Sequence, residues 1–480
     1  MKPHGPYIGD KVINMGVPFK TMSELLSPKE QAYENSLELH PEHEPLRILW
    51  GSEQPTRPTG YGVVSRELIK RLAARGHEVF VMGWEYNGEA IRHEEGWTLI
   101  HSGIQGQGSD HVNGEHNVLD YTLATVRPDV YFSLTDIWNI PHMVRSCNAQ
   151  NVPHVAYLPI DGSPFSYQWK EIIAMTHTPL WMSKFGLQQF EEFVARYNTK
   201  GYAHESLRDP YIDRYTYEPT EVLYHGVDTQ LFKPVTQEQK MAWRAELGVP
   251  HWEFVFVSVG RNGNRKQQPR LLEAFRMMLD GLPEDERHKY GMIMHTGDPA
   301  NSRGLGGWNL PLMVKELGLE GNVTFSDIDS NPIHGLTREQ MAKLYQVGDC
   351  HVLATAGEGF GIPTIEAMAC GLPVILPDNS TARELVGSDN LSRGILVKND
   401  TFITGPTQGV KLSVVSIEDL AEQMTKMAGW SKKRKSMSKR ARDWVVENCD
   451  WDLLIDKLEA ILYEAKDKPH PHGNNTEVKV

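Results

Sequence analysis

The stretch Glu358-Gly359-Phe360-Gly361-Ile362-Pro363-Thr364-Ile365-Glu366-Ala367-Met368-Ala369-Cys370-Gly371 decides the fold. It follows the apolar run His351-Val352-Leu353-Ala354 and precedes Pro373-Val374-Ile375-Leu376, both of which read as buried strands. Gly357, Gly359 and Gly361 make the connection a glycine-rich loop. Pro363 suits the first turn of a helix, where its missing N–H would be unsatisfied in any case. Ile365, Ala367, Met368 and Ala369 continue that helix, and Gly371 ends it. In a strand, glycine loop, helix, strand layout, backbone N–H groups at the helix N-terminus favour an anion. Glu358 on the loop and Glu366 in the helix add two carboxylates suited to gripping the hydroxyls of a phosphorylated sugar or a ribose. An exposed Glu complementing the helix dipole accounts for Glu358 alone. It does not account for the spaced glycines before a proline.

The same rhythm runs outward in both directions. Leu46 to Trp50 reads as a strand, followed by a loop to Gly62, a helix ending near Gly76, and the strand His77 to Met82. That is a βαβ unit, so its strands should be parallel. Asp129–Ser133, His154–Leu158 and Thr178–Met182 continue the series. A second series begins at Phe254–Gly260, whose following loop carries Arg261 and Lys266, and continues through Tyr290–His295 and Val323–Phe325. Long helices are expected from about Ser416 to about Ala465. The fold class is therefore α/β: two tandem Rossmann-like, doubly wound domains facing each other across a cleft. The expected organisation is an extension over 1–45, a first domain over 46–232, a second over 233–445, a helix over 446–465 crossing back to the first, and a flexible tail over 466–480.

The bulk numbers agree with an ordinary globular protein. The chain has 480 residues, too many for one core. Its net charge of −13 gives sequence-independent attraction to nucleic acid no support. Cys147, Cys350, Cys370 and Cys449 form no Cys-x-x-Cys pair, which fits a reducing compartment and argues against a zinc site or a disulfide framework. The opening Met1–Pro6 has no apolar core of signal-peptide length, and no run nears the roughly 20 residues that span a bilayer. A cytoplasmic protein is expected.

Four motifs in order resemble the retaining glycosyltransferases of family 4, which have the GT-B fold. They are Gly60 ahead of a helix ending in Gly76-His77-Glu78-Val79; Gly226-Val227-Asp228 with Phe232; Val259-Gly260-Arg261 with Lys266; and the pair Glu358 and Glu366. Together they cover most of residues 46–460. The resemblance implies that Arg261 and Lys266 clamp the donor diphosphate, that Glu366 holds the ribose, and that Glu358 lies near the transferred sugar. It implies that the backbone of Gly359, Phe360, Gly361 and Ile362 lines the sugar and phosphate site. Gly60 and Gly62 would let the first domain approach the donor, and Thr381 with Ser380 and Glu384 would lie on its phosphate side. The substrate would be a nucleotide-diphosphate sugar, with UDP favoured over GDP, and no metal or other cofactor would be required.

Each residue also has a plainer reading. Arg261 and Lys266 could be solvated loop charges, Glu366 a helical ion-pair partner, and Gly60 a turn glycine. Family members often carry a histidine after the strand matched by Val155–Leu158, whereas this chain has Pro159-Ile160-Asp161-Gly162. Asp161 is a candidate for that polar contact, for a base on the acceptor hydroxyl, or for a turn residue. His225 reads as a hinge contact. Asp327 and Asp329 spell Asp-x-Asp, read as coincidence. Lys432–Lys435 with Lys439, Arg440 and Arg442 read as a solvated helix face, or as a patch for anionic lipid or nucleic acid. The acceptor hydroxyl is left open between a sugar, a lipid-linked group and a small molecule, with nucleic acid kept as an alternative, and so is the oligomeric state. A DNA-modifying glycosyltransferase, a GT-B phosphorylase or epimerase, and a non-catalytic nucleotide-sugar-binding protein are the alternative functions.

Overall fold

Strands apolar on both faces need cover on both faces, and helices supply it around two mainly parallel sheets. The structure is a computed structural model, and it describes residues 44–103, 118–198, 220–249, 251–296, 307–326, 336–387, 392–405 and 409–470. The extension up to residue 43, Asp327 with Asp329, and the tail from 471 lie outside the described residues.

The first sheet comprises β1 (Arg47–Ser52), β2 (Glu78–Gly83), β3 (Ile91–Arg92), β4 (Thr98–Ile100), β5 (Val130–Leu134), β6 (His154–Leu158), β7 (Thr178–Trp181) and β8 (Glu221–Val222). Their order is β3-β4-β2-β1-β5-β6-β7-β8, parallel throughout except for the β3–β4 pair. The second sheet comprises β9 (Phe254–Val259), β10 (Tyr290–His295), β11 (Val323–Phe325), β12 (Cys350–Val352), β13 (Val374–Pro377) and β14 (Gly394–Val397). Its order is β11-β10-β9-β12-β13-β14, all parallel. These are two Rossmann-like domains.

Strand order reverses at β1/β5 in one sheet and at β9/β12 in the other. A crevice opens beyond the carboxyl ends of the strands at such switch points. The loops that leave these four strands begin at Glu53, Thr135, Gly260 and Leu353. They are the loops that carry most of the chemistry-bearing side chains.

One face of the first sheet buries Leu49, Tyr131, Leu158 and Trp181, and one face of the second buries Phe254, Phe256, Met292 and Val352. A third buried cluster runs through both domains, taking in Trp50, Phe132, Tyr157, Phe232, Phe360 and Trp451. The crossover between the domains is pinned to the C-terminal helices. The Val227 N–H donates to the Cys449 carbonyl at 2.8 Å, and a Cβ at Gly226 would come within 2.3 Å of the Trp451 ring. Helix Trp451–Asp467 then packs on helix Gly60–Ala74 and on β5 and β6. It is held there by Arg71 on Asp452 at 2.9 Å and by Glu459, which meets Arg75 and His77. This helix runs two residues beyond Ala465, into the stretch expected to begin the tail.

The basic cluster lies on helix Ser431–Asn448, and its arginines are engaged internally. Arg442 donates to the carbonyls of Thr229, Phe232 and Ala369, Arg434 to those of Met427 and Ala428, and Arg440 to that of Ser392.

The sequence reading passed over an antiparallel hairpin, β15 (Asn399–Thr404) with β16 (Lys411–Val415). β15 is exposed along nearly its whole length, so it carries no buried apolar run to announce it. The hairpin leaves the second domain and reaches the first, where the Lys411 N–H donates to the Ser163 carbonyl at 2.7 Å.

Candidate functional site

The glycine loop does what its sequence requires. Gly361 has φ +104, a left-handed conformation that favours glycine, and it precedes helix Ile362–Ala369 with Pro363 in the first turn. Gly357 and Gly359 face the first domain. A Cβ at 357 would lie 2.1 Å from the Asp161 carbonyl oxygen. A Cβ at 359 would lie 2.4 Å from the Pro159 Cβ and 3.1 Å from Asp161 Oδ1. The two domains therefore touch through bare backbone at this point. Gly60 also looks across the cleft, since a Cβ there would sit 3.7 Å from Ile362 Cδ1. Gly62 has a different reason to be glycine: its Cβ would come 2.4 Å from the Arg57 carbonyl oxygen, within the first domain's own loop.

Four charged side chains converge beside the loop. Lys266 is ion-paired with Glu358. Arg265 Nη1 lies 3.3 Å from Glu358 Oε2 and 3.4 Å from Asp161 Oδ2. Burial alone would raise the Glu358 carboxyl, but Lys266 and Arg265 outweigh it and hold it down at about 2. Burial lowers the Lys266 ammonium, with Glu358 opposing. Burial also raises the Asp161 carboxyl against the pull of Arg265. The Ser380 hydroxyl accepts from the Glu358 N–H at 2.9 Å, fixing the loop backbone.

Arg265 was missed in the sequence, which pointed to Arg261. The Arg261 side chain is exposed, and its carbonyl accepts from Gln268 at 3.0 Å. The signal that could have found Arg265 is its place next to Lys266 in a loop leaving a buried strand.

Glu366 is buried, with Arg338 Nη1 at 2.6 Å from Oε1 and the Tyr345 hydroxyl at 3.0 Å from Oε2. This is the ion-paired arrangement that was its plainer reading, and Arg338 in turn lies over the Phe232 ring. Phe360 is buried against Tyr224 and His225, both rings at 5.2 Å. His225 also contacts the Tyr157 hydroxyl, and burial pushes its imidazole down to about 3, so it stays neutral. Thr381 donates to the Phe360 carbonyl at 2.8 Å, which spends its hydroxyl on holding the loop. Glu384 reaches the first domain, accepting from the Lys184 and Phe185 N–H groups and the Tyr224 hydroxyl.

Asp136, also missed in the sequence, stands at the end of β5 and accepts from the Tyr61 hydroxyl at 3.1 Å. Burial, reinforced by the Asp161 charge, pushes its carboxyl up to about 7. A cleft of about 230 Å³ adjoins it, lined by Trp138, Asp161, Trp169 and Val410 among others. A second space of about 230 Å³ lies between Glu358, Phe360, Gly361 and the Asn379–Ala382 loop. Among the described residues no group of three or more His, Cys, Asp or Glu is placed to share a metal ion, and no helix is long and apolar enough to cross a membrane.

With this geometry in place, the similarities of the chain are specific. Residues 239–444 match the family described as glycosyl transferases group 1. A D-inositol 3-phosphate glycosyltransferase of Thermomonospora curvata is 24% identical over 249 residues, covering 51% of this chain and 52% of that protein. One of a Mycobacterium species (strain JLS) is 31% identical over 155 residues, 32% of this chain and 31% of that protein. The chain thus spans about half or less of the length of the curated relatives it matches. Among solved structures, Anabaena HepE in complex with UDP and glucose superposes with a TM-score of 0.61 at 18% identity, covering 87% of this chain and 100% of that one. Sucrose-phosphate synthase of Thermosynechococcus elongatus gives 0.63 at 19% identity, covering 87% and 98%. The overall architecture is the GT-B fold, and residues 239–444, which hold the glycine loop and its cations, match the family described as glycosyl transferases group 1.

Proposed function

We propose that the protein transfers a sugar from a nucleotide-diphosphate sugar to an acceptor hydroxyl, with retention at the anomeric carbon. The observation that carries this is the meeting of Arg265, Lys266 and Glu358 at the glycine loop, inside the segment that matches group 1 glycosyl transferases. A diphosphate leaving group carries several negative charges. Lys266 and Arg265 would share it, with Arg261 at the exposed side of the same loop, and charge-assisted bonds both bind it and stabilise its departure. The N–H groups of Gly359, Gly361 and Ile362 would complete the phosphate and sugar cradle. Thr381 supports this cradle through the Phe360 carbonyl. Glu366 would accept the ribose hydroxyls, with Arg338 and Tyr345 keeping its carboxylate oriented. Gly60 and Gly62 would form the first domain's edge of the same site.

Glu358 is engaged by two cations and so is better suited to ordering the site than to attacking carbon. The acceptor oxygen would attack the anomeric carbon from the leaving-group side. The bond to the donor phosphate breaks as the new glycosidic bond forms, and the proton passes to the departing phosphate oxygen. Asp161 would hold the acceptor hydroxyl. The UDP and glucose bound by HepE favour a UDP-sugar as donor.

A panel of UDP- and GDP-sugars in a thermal-shift assay identifies the donor, and turnover of that donor then tests the site. Lys266→Ala and Arg265→Ala should each lower transfer by about 100-fold or more while leaving the circular dichroism spectrum unchanged. Near-normal turnover in both variants would overturn the assignment.

A further inference from the structure

Glu384 belongs to the second domain and is bound by the first. It stands in the short helix Ala382–Val386, which follows Ser380 and Thr381 directly. Its carboxylate accepts from two consecutive backbone N–H groups across the domain boundary, Lys184 to Oε2 at 3.0 Å and Phe185 to Oε1 at 3.3 Å. These N–H groups open helix Lys184–Asn198 of the first domain. The first N–H groups of a helix have no partner within it, and a negative charge beside them is favoured by the helix dipole. Ser183 Oγ takes one more, from Gly186 at 3.0 Å. One domain thus completes the cap of a helix in the other.

A third hydrogen bond ties in the chain that joins the domains. The Tyr224 hydroxyl donates to Glu384 Oε2 at 3.0 Å. Tyr224 stands two residues before Gly226 of the crossover, and its ring lies 5.2 Å from that of Phe360 in the glycine loop. The backbone around Glu384 is held from behind. Arg393 donates to the carbonyls of Glu384 and Leu385 while lying over the Trp444 ring. At the front, Ser380 accepts from the Glu358 N–H and Thr381 donates to the Phe360 carbonyl. The segment 380–384 therefore grips the glycine loop at its start and the first domain at its end.

We infer that Glu384 is the latch that holds the two domains in the closed cleft, and hence a positioning residue for sugar transfer. Its part in transfer rests on the glycosyltransferase reading and deepens it. Gly357 and Gly359 permit the approach of the domains by having no side chains. Glu384 adds an attraction at the same boundary. Hydrogen bonds from N–H groups to a carboxylate are roughly twice as strong as neutral ones, and they are directional. An open cleft would return the carboxylate and both N–H groups to water. Glu384 is spent on the first domain, so its loss should disturb closure and leave Arg265, Lys266 and Glu358 in place for the donor.

Double electron–electron resonance on the full-length protein reads closure directly. The four native cysteines are buried. Spin labels can therefore go on Tyr121→Cys and Leu312→Cys, exposed positions of the first and second domains. The parent should give one dominant distance. Glu384→Ala should add a longer population, with and without UDP, while the circular dichroism spectrum stays unchanged. Tyr224→Phe removes one of the three hydrogen bonds and should act in the same direction to a smaller extent. It should add little in the Glu384→Ala background, because both act on one contact. In turnover, Glu384→Ala should lower kcat by about 10- to 100-fold, with donor KM and UDP Kd within about threefold of the parent. Unchanged distances in both variants would overturn the latch. Equal losses of kcat and UDP affinity would also overturn it, since they would mark a damaged phosphate loop rather than lost closure. The distance needs no turnover. Failure of every nucleotide sugar as donor would sink the glycosyltransferase reading, and the latch would still stand or fall on the distance.

Discussion

Asp161 of the first domain and Arg265 of the second meet across the cleft, Oδ2 to Nη1, at 3.4 Å. The contact is possible because the glycine loop offers no side chains at 357 and 359, where Asp161 and Pro159 press against its backbone. Closure is thus written into two glycines. Gly359→Ala should hold the domains apart, because the new Cβ would overlap Pro159. Transfer should fall by about 100-fold, while the radius of gyration from small-angle scattering rises and each domain keeps its secondary structure. A variant with normal turnover would show that closure tolerates the extra carbon.

Glu358→Gln removes the charge that faces Lys266 and Arg265. It should cost about 1–3 kcal/mol at neutral pH, as expected when buried charged groups lose their partner. The Glu358 carboxyl lies at about 2, against an ordinary 4.5. Its stabilising contribution is therefore present above 4.5 and is lost as pH falls through about 2. Unfolding curves of the two proteins should be well separated at pH 7 and converge toward the acid limit.

Asp136 has the opposite sign. Burial and Asp161 raise it to about 7 from an ordinary 3.8, while the Tyr61 hydroxyl and Arg265 pull it down and Glu53 pushes it up. Its contribution to stability is complete below 3.8 and is lost as pH rises through about 7. Asn at this position stays neutral, and its amide oxygen can still accept from Tyr61. Asp136→Asn should therefore match the parent near pH 3.5 and exceed it at pH 8. After solvent screening at this partly buried place, the gain should be on the order of 1–2 kcal/mol. Thermal unfolding at the two pH values decides it.

Glu459 anchors the last helix by meeting Arg75 and His77, with the Arg75 and Glu459 side chains 3% and 5% exposed. Glu459→Ala leaves the Arg75 guanidinium without its buried partner. The expected cost is about 3–5 kcal/mol, seen as a lower urea midpoint. A change of less than 1 kcal/mol, the range of exposed pairs, would show that Asp456 on the same arginine suffices.

Much of the architecture could be read in the chain because strands buried on both faces carry unbroken apolar runs. Phe254–Val259, broken only by Ser258, and Val155–Leu158 come close to such runs, and each lies in a strand with every residue buried. The exposed β15 has no such run and was invisible. The glycine loop was legible for the same kind of reason. A left-handed residue before a helix, with proline in the first turn, demands a particular sequence.

Local pattern thus determined the two α/β series, the loop, and the candidacy of Glu358 and Glu366, while the candidacy of Lys266 came from the family resemblance. Which side chains face one another was decided only in three dimensions. Sequence spacing does not distinguish Arg261 from Arg265, since both lie on one loop, yet one is exposed and the other reaches Asp161. Glu366 received Arg338 from 28 positions away. Asp136 acquired its raised pKa from burial and from Asp161, 25 residues later in the chain. Such pairings depend on the way two sheets bring their switch points together, and no period in the chain encodes that.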